Sequence, residues 1–225
     1  MKRLFTLCLI ITLLFAFCIP TSAESAVYQR NDKAGKKVAL TFDDGPHPIY
    51  TGRILDILEK YGVRATFFVI GRNIENYPEA FEAIAKSENE IGNHTYSHRN
   101  IGGMSDAQIR SEIALTDESI ASHSSRRASV LRPPEGSFGK NLPRVSEEAG
   151  YDIVLWSIDT LDWAHTPAEK IVSSVLSRLG EGDIILMHDY TSGNSHTCEA
   201  LELMIPRMLE LGYEFVTVSE LICEE

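Results

Sequence analysis

Past Lys36 the apolar runs of this chain are short, and almost every one is followed by a stretch with helical spacing. Residues 37–42, 65–70, 91–93, 130–131, 152–157, 184–187 and 214–218 read as strands, rich in β-branched and aromatic side chains. Residues 50–61, 78–86, 105–122, 142–149, 167–179 and 198–211 read as helices, with a final helical turn at 219–223. Ile54, Leu55, Ile57 and Leu58 form the apolar face of the first helix; Ser105 caps the third and Gly150 closes the fourth. Such alternation indicates a parallel sheet with helices packed outside it. The reactive side chains gather at the C-terminal ends of the strands, where a (β/α) barrel keeps its chemistry. The expected fold is α/β: a closed or distorted (β/α) barrel of seven or eight parallel strands with one mouth.

The first strand runs from Leu40-Thr41-Phe42 straight into Asp43, Asp44, Gly45 and Pro46. Successive strand side chains point to opposite faces, so two adjacent carboxylates cannot share one face of a regular strand. Gly45 and Pro46 break the extended geometry there and let both acids turn toward one mouth. Taken alone, the pair is equally an ordinary Asp-rich turn. Further on, His94 and His98 stand four apart, which on a helix puts both rings on one face, within reach of one cation. The same spacing arises by chance on solvated helices. The ligand count favours a metal, because a catalytic zinc takes three protein ligands and keeps one position open. His94, His98 and one of the two aspartates make such a set, and the second aspartate is left for proton transfer.

Thr41-Phe42-Asp43-Asp44-Gly45-Pro46 and His94-Thr95-Tyr96-Ser97-His98 resemble the first two motifs of the polysaccharide deacetylases (NodB homology, carbohydrate esterase family 4). Three more motifs follow in the family's order: Arg132-Pro133-Pro134-Glu135-Gly136, Asp159-Thr160-Leu161-Asp162-Trp163, and Ile185-Leu186-Met187-His188. The resemblance spans roughly residues 36–222 and implies a distorted barrel of the NodB-homology type. It implies that Asp44, His94 and His98 hold one divalent metal ion, zinc first, with cobalt, nickel or manganese as alternatives. Asp43 would be the general base, with Arg132 beside it to keep it ionised. His188 would be the general acid, held and charged by Asp162. Backbone N–H near Glu135 would complete an oxyanion site, while Trp163 and Leu186 would wall the pocket for the acetyl methyl. The implied reaction is N-deacetylation of an amino-sugar polymer, peptidoglycan or chitin-like. An O-acetyl xylan esterase on the same site is a second reading. A non-catalytic glycan-binding module is a third, disfavoured because every reactive side chain is present.

One position departs from the family. Where many members carry an aromatic residue, this chain has Glu135, so the wall for a sugar ring is missing and a carboxylate stands near the groove. Other residues take the plain reading. His123, His165 and His196 lack ligand-spaced partners and are expected at the surface, and His47 at the rim. Trp156 is expected in the core and Trp163 as the sugar platform. The sequon at Asn93 is accidental, since a glycan there would crowd the metal site.

The N-terminus reads as a secretory signal: basic Lys2 and Arg3, sixteen largely apolar residues from Leu4 to Ile19, then Pro20 and small residues, with cleavage after Ala23 or Ala26. The apolar run is short of the ~20 residues of a spanning helix, and an uncleaved anchor is the alternative. Residues 1–23 are thus a signal, 24–35 a polar leader, and 36–225 the catalytic domain. The protein is expected outside the cytoplasm, off the membrane after cleavage, and monomeric. Losing Lys2 and Arg3 takes the formal charge from −11 to about −13, which argues against nucleic acid and anionic lipid as partners. A largely neutral N-acetylated polysaccharide suits it better. Cys198 and Cys223 remain after cleavage and are expected to form a disulfide, given an oxidising compartment and a last strand, 214–218, that climbs back to the same end of the barrel.

Overall fold

The computed structural model describes residues 26–191, 193 and 195–224, so the signal expected at 1–23 lies outside the described residues. At the centre runs β2 (Lys37–Asp43), buried along its length after Lys37. Its alternation divides two environments. Val38, Leu40 and Phe42 point into the large core shared with the helices, whereas Ala39 packs inside the barrel and Thr41 and Asp43 meet Arg132 there. Both faces are covered, so the strand is apolar on both until it reaches Thr41.

The sheet is parallel throughout. Its main path runs β1 (Val27–Tyr28), β6 (Asp152–Val154), β5 (Val130–Leu131), β4 (Glu90–Asn93), β3 (Thr66–Val69), β2, β8 (Ile184–His188), β7 (Ile158–Asp159), and β9 (Glu214–Phe215) pairs with the start of β2. These eight strands form the expected barrel in its distorted, half-closed form. The segment after β1 is tied to the one before β8 by an isolated bridge from Arg30 to Asp183, by Arg30 Nη2 donating to Glu181 O and by Asn31 N donating to Gly182 O. Inside the barrel the buried Arg132 links β2 to the segment after β6. Register aligns the strand ends at one rim: Asp43 lies level with His188 on β8 and with Phe68 on β3, and Asn93 lies level with Leu131.

Helices α1 (Tyr50–Tyr61), α3 (Pro78–Lys86), α6 (Ala168–Arg178) and α7 (Thr197–Glu210) cover the outer face. Ile54 and Leu58 of α1 and Leu201 and Ile205 of α7 are fully buried against Phe42 and Phe67, whose rings stack 5.0 Å apart. Truncating either Phe to Ala would cost ~3–5 kcal/mol. Further along the same outer face, α4 (Asp106–His123) and α5 (Leu142–Glu148) bury Ile109, Ile113, Leu142 and Val145 in a smaller core. Ser105 starts α4 with its N–H donating to Gln108 Oε1.

Five points differ from expectation. Part of the segment expected as a polar leader is structural: β1 pairs with β6, and Asn31 Nδ2 donates to the carbonyls of Leu221 and Glu224. Residues 152–157 are not one strand; β6 stops at Val154, and β7 starts afresh at Ile158 against β8. An unexpected short helix, α2 (Gly71–Asn76), follows β3. The disulfide does not form, since Cys198 and Cys223 are both free. The supposed final strand is only two residues long and pairs with Lys37 and Val38 at the beginning of β2. The chain then enters α8 (Val218–Ile222), leaving Cys223 beside that end while Cys198 opens α7 at the other.

Candidate active site

Asp43 ends β2 facing the barrel interior, where Arg132 meets it. Arg132 Nη1 donates to Asp43 Oδ1 and to Thr41 Oγ1, each at 2.7 Å, and Nη2 donates to Leu155 O at 2.8 Å. The guanidinium is completely buried and lies 4.1 Å from the centre of the Phe68 ring. Burial pushes its pKa down and the Asp43 charge pushes it back up, so cation and carboxylate depend on each other.

Asp44 would point away in a regular strand. Its own backbone redirects it: φ is 73°, the left-handed region that non-glycine residues avoid. Asn73 of α2 fixes this turn by donating Nδ2 to Asp44 O at 2.7 Å, and Ile70 N donates to Gly45 O. Gly45 serves for space, because a Cβ there would sit 2.2 Å from the buried Asp189 carboxylate. Both acids thus reach one mouth, as the sequence suggested, but through Asp44 more than through Gly45 or Pro46.

The two histidines do not share a helix. They occupy a loop after β4 in which Thr95 and His98 have left-handed φ values of 66° and 55°. Hydrogen bonds from two sides hold this loop. Gly71 N and Arg72 N of α2 donate to the carbonyls of Thr95 and Tyr96, at an approach so close that a Cβ on Gly71 would strike Tyr96 and Thr116. On the other side Glu112 of α4 accepts from Tyr96 N at 3.0 Å, Ser97 N at 2.7 Å and Ser97 Oγ at 2.6 Å. His94 Nδ1 lies 2.8 Å from Arg132 O, a bond that requires Nδ1–H and leaves the Nε2 lone pair free.

The residues fit a metal ion. One ligand atom from each of Asp44, His94 and His98 can be chosen so that all lie within 4.8 Å of one another. Both Nε2 atoms approach Asp44 Oδ1, at 3.4 and 3.0 Å, yet that oxygen is buried without a properly formed hydrogen bond. A buried acceptor facing two nitrogen lone pairs is a donor set awaiting a cation. Burial would raise the Asp44 carboxyl, but the two imidazoles, when their Nε2 atoms carry protons, outweigh it by hydrogen bonding and charge and hold it well below the carboxylate range. A metal cation would take the place of those protons.

His188 completes the arc. Its Nδ1 lies 2.8 Å from Asp162 Oδ1, and its backbone N–H donates to Asp162 Oδ2. Thr197 Oγ1 at the start of α7 also donates to that oxygen, and Trp163 N to the other. Burial lowers the imidazole pKa, but the Asp162 bond and charge prevail and raise it to about 9.

Asp43, Asp44, His94, His98, Glu135, Leu186, Trp163 and His188 line one cavity of about 460 Å³, together with Trp156 and Asp159. Arg132 lies beneath it and Asp162 behind His188, so all ten residues singled out in the sequence come together. Trp156 packs against the barrel-interior core, as expected, and its other side also forms part of the cavity wall. Glu112, Asn73 and Thr197 carried no local signal. His47 sits near the rim, its ring 4.8 Å from that of Tyr190, and Asn93 is fully buried, which excludes a glycan there. A larger cavity, about 640 Å³, lies between α1 and α3 beside residues 62–64 and 87–89, which lead into β3 and β4, at the end of the barrel away from this chemistry.

The sequence pattern of the polysaccharide deacetylases matches residues 30–154. A peptidoglycan-N-acetylglucosamine deacetylase of Bacillus cereus is 39% identical over 189 residues, 83% of this chain and 88% of that one. The peptidoglycan-N-acetylmuramic acid deacetylase PdaC of Bacillus subtilis is 37% identical over 190 residues, 84% of this chain but 39% of its own length. A crystal structure of a peptidoglycan N-acetylglucosamine deacetylase superposes with a TM-score of 0.84 at 34% identity, covering 88% of this chain and 92% of the other. By sequence and by fold, this chain belongs to the polysaccharide deacetylase family and is a hydrolase of amide bonds.

Proposed function

We propose that the protein is a secreted, metal-dependent deacetylase that removes N-acetyl groups from an amino-sugar polymer, peptidoglycan or a chitin-like chain. The observation that carries this reading is the convergence on one cavity of a buried Asp43–Arg132 pair, the Asp44–His94–His98 set and the His188–Asp162 pair. A divalent cation held by Asp44, His94 and His98, zinc by the nature of the ligands, would polarise the acetyl carbonyl and acidify water. Asp43 takes the proton from the attacking water, and Arg132 keeps that carboxylate ionised and aimed. Oxygen from water joins the acetyl carbon as the C–N bond breaks. His188 Nε2 gives a proton to the departing nitrogen, and Asp162 stabilises the imidazolium beforehand. Backbone N–H near Glu135 supports the developing oxyanion, while Leu186 and Trp163 enclose the methyl group.

On this reading residues 1–23 are the export signal, uncleaved if the protein stays anchored, and the enzyme acts on the wall side as a monomer. Acetate release decides it, measured on chitin oligomers, peptidoglycan and acetylated xylan side by side, before and after chelation. Release from the first or second that stops on chelation and returns with Zn²⁺ or Co²⁺ supports the proposal. Release from xylan alone refutes the N-deacetylase reading, and full activity after verified metal removal refutes the metal.

A further inference from the structure

Glu135 stands where it can sort substrates by charge. The turn Pro134–Gly136 after β5 places it in a left-handed conformation, φ 57°, at the lip of the cavity. Its side chain is anchored. Asn100 Nδ2 donates to Glu135 Oε2 at 3.2 Å, and Asn100 Oδ1 in turn accepts from Gly102 N at 3.0 Å and Ser137 Oγ at 2.7 Å. The carboxylate therefore keeps its place beside His98 although it is exposed to solvent.

The other acids of the cavity are committed. Asp43 is matched by Arg132, Asp44 faces the two imidazoles, and Asp159 Oδ1 accepts from Leu161 N. Among the described residues neither lysine nor arginine lines the cavity, and no described ion pair includes Glu135. Its charge is left open to whatever occupies the lip of the cavity. Where an aromatic residue would sort sugars by shape, this one sorts by sign.

We propose that Glu135 is a specificity-determining residue, which favours a chain carrying a free ammonium next to the N-acetyl group under attack and disfavours one carrying a carboxylate there. This rests on the deacetylase function proposed above and narrows its substrate. Deacetylation leaves a sugar amine that is partly protonated at neutral pH and fully so in mild acid, so below neutrality each product sugar becomes a better neighbour for the next event. Between the two peptidoglycan sugars, N-acetylglucosamine carries no acid. N-acetylmuramic acid carries a lactyl group whose free carboxylate meets Glu135 with like charge.

The test compares the metal-loaded protein with Glu135→Gln and Glu135→Lys on three substrates: chitotetraose, tetramers bearing a single glucosamine, and peptide-free glycan with free lactyl carboxylates. Wild type should favour the mixed tetramers over chitotetraose by roughly two- to fivefold in kcat/KM, the size of one exposed charge pair. High salt should erase that preference. Glu135→Gln should lose it and gain on the lactyl glycan, and Glu135→Lys should invert the order. A merely structural role moves all substrates the same way. A substrate order unchanged in Glu135→Gln overturns the assignment while leaving the deacetylase reading intact. If no substrate is turned over, that reading fails, and the charge assignment is decided by binding: affinity for fully deacetylated chitotetraose must fall two- to fivefold in Glu135→Gln, or the assignment falls too.

Discussion

Glu112 is the residue to remove first. It touches neither cavity nor ligand atom, yet three donors of the His94–His98 loop end on its carboxylate. Hydrogen bonds to a charged group contribute ~1.5–3 kcal/mol each when buried. Glu112 is half-buried and water replaces part of the loss, so Glu112→Ala should destabilise the protein by about 2–4 kcal/mol in total. For a chain of this size that lowers Tm by roughly 5–12 °C. The left-handed residues Thr95 and His98 are costly conformations, kept only while the surroundings enforce them. Without the clamp the loop relaxes, and the two Nε2 atoms no longer converge on Asp44. Groups that orient metal ligands are commonly worth 10–100-fold in affinity, or about 1.4–2.8 kcal/mol. Two measurements separate the effects. Melting the metal-free variant reads the structural loss, and chelator competition reads the metal Kd. Because stabilisation by saturating metal follows RT ln(1 + [L]/Kd), the metal-induced rise in Tm should shrink as well. Glu112→Gln should fall between, since its amide NH₂ opposes donors where a carboxylate oxygen accepted them. A variant that melts early but binds metal with the wild-type Kd refutes the coupling, for the loop would then hold its shape without Glu112.

The proposed roles of the acid pair are separable: Asp43→Asn should lose on the order of 10²–10⁴ in kcat and keep its metal, whereas Asp44→Ala should lose the metal itself, read by metal analysis. Metal loss in the Asp43 variant instead would exchange the two roles. His188, raised to about 9, should set the alkaline limb of the kcat profile, with activity falling as pH rises through that value. Asp162→Asn should shift this limb down by roughly 1–3 units. The same linkage acts on stability: a raised imidazole contributes fully below its unfolded pKa of about 6.5 and loses that contribution as pH rises through about 9, so the pair should weaken the fold across that window in wild type and not in Asp162→Asn. In protein lacking residues 1–23, Cys223 should react at once with a thiol reagent and buried Cys198 only on unfolding. A chain with neither thiol titratable after unfolding would restore the disulfide.

Whether a residue's role is legible in the sequence depends on how that residue is addressed. Asp43, Asp44, His94, His98, Arg132, Asp162 and His188 lie in contiguous motifs at strand ends, and a parallel sheet in register carries strand ends to one rim. The histidines mislead as to geometry because a spacing of four has two meanings. A helix satisfies it locally, and here a loop satisfies it with left-handed Thr95 and His98 under constraint from α2 and α4. Helix α2 leaves little trace because Ile74 is the one large apolar side chain in its six residues, which gives no period to read. Trp156 reads as core because 152–157 looks like one strand. The carbonyls of Val154 and Leu155 accept from the Arg132 guanidinium, pairing ceases at Val154, and the indole lies between the interior core and the cavity, lining both. In each case a long-range partner overrides a local pattern. Residues expected to meet the substrate are therefore the ones a motif reveals, whereas Glu112, Asn73 and Thr197, which aim them, are defined by distance across the fold and carry no signature of their own.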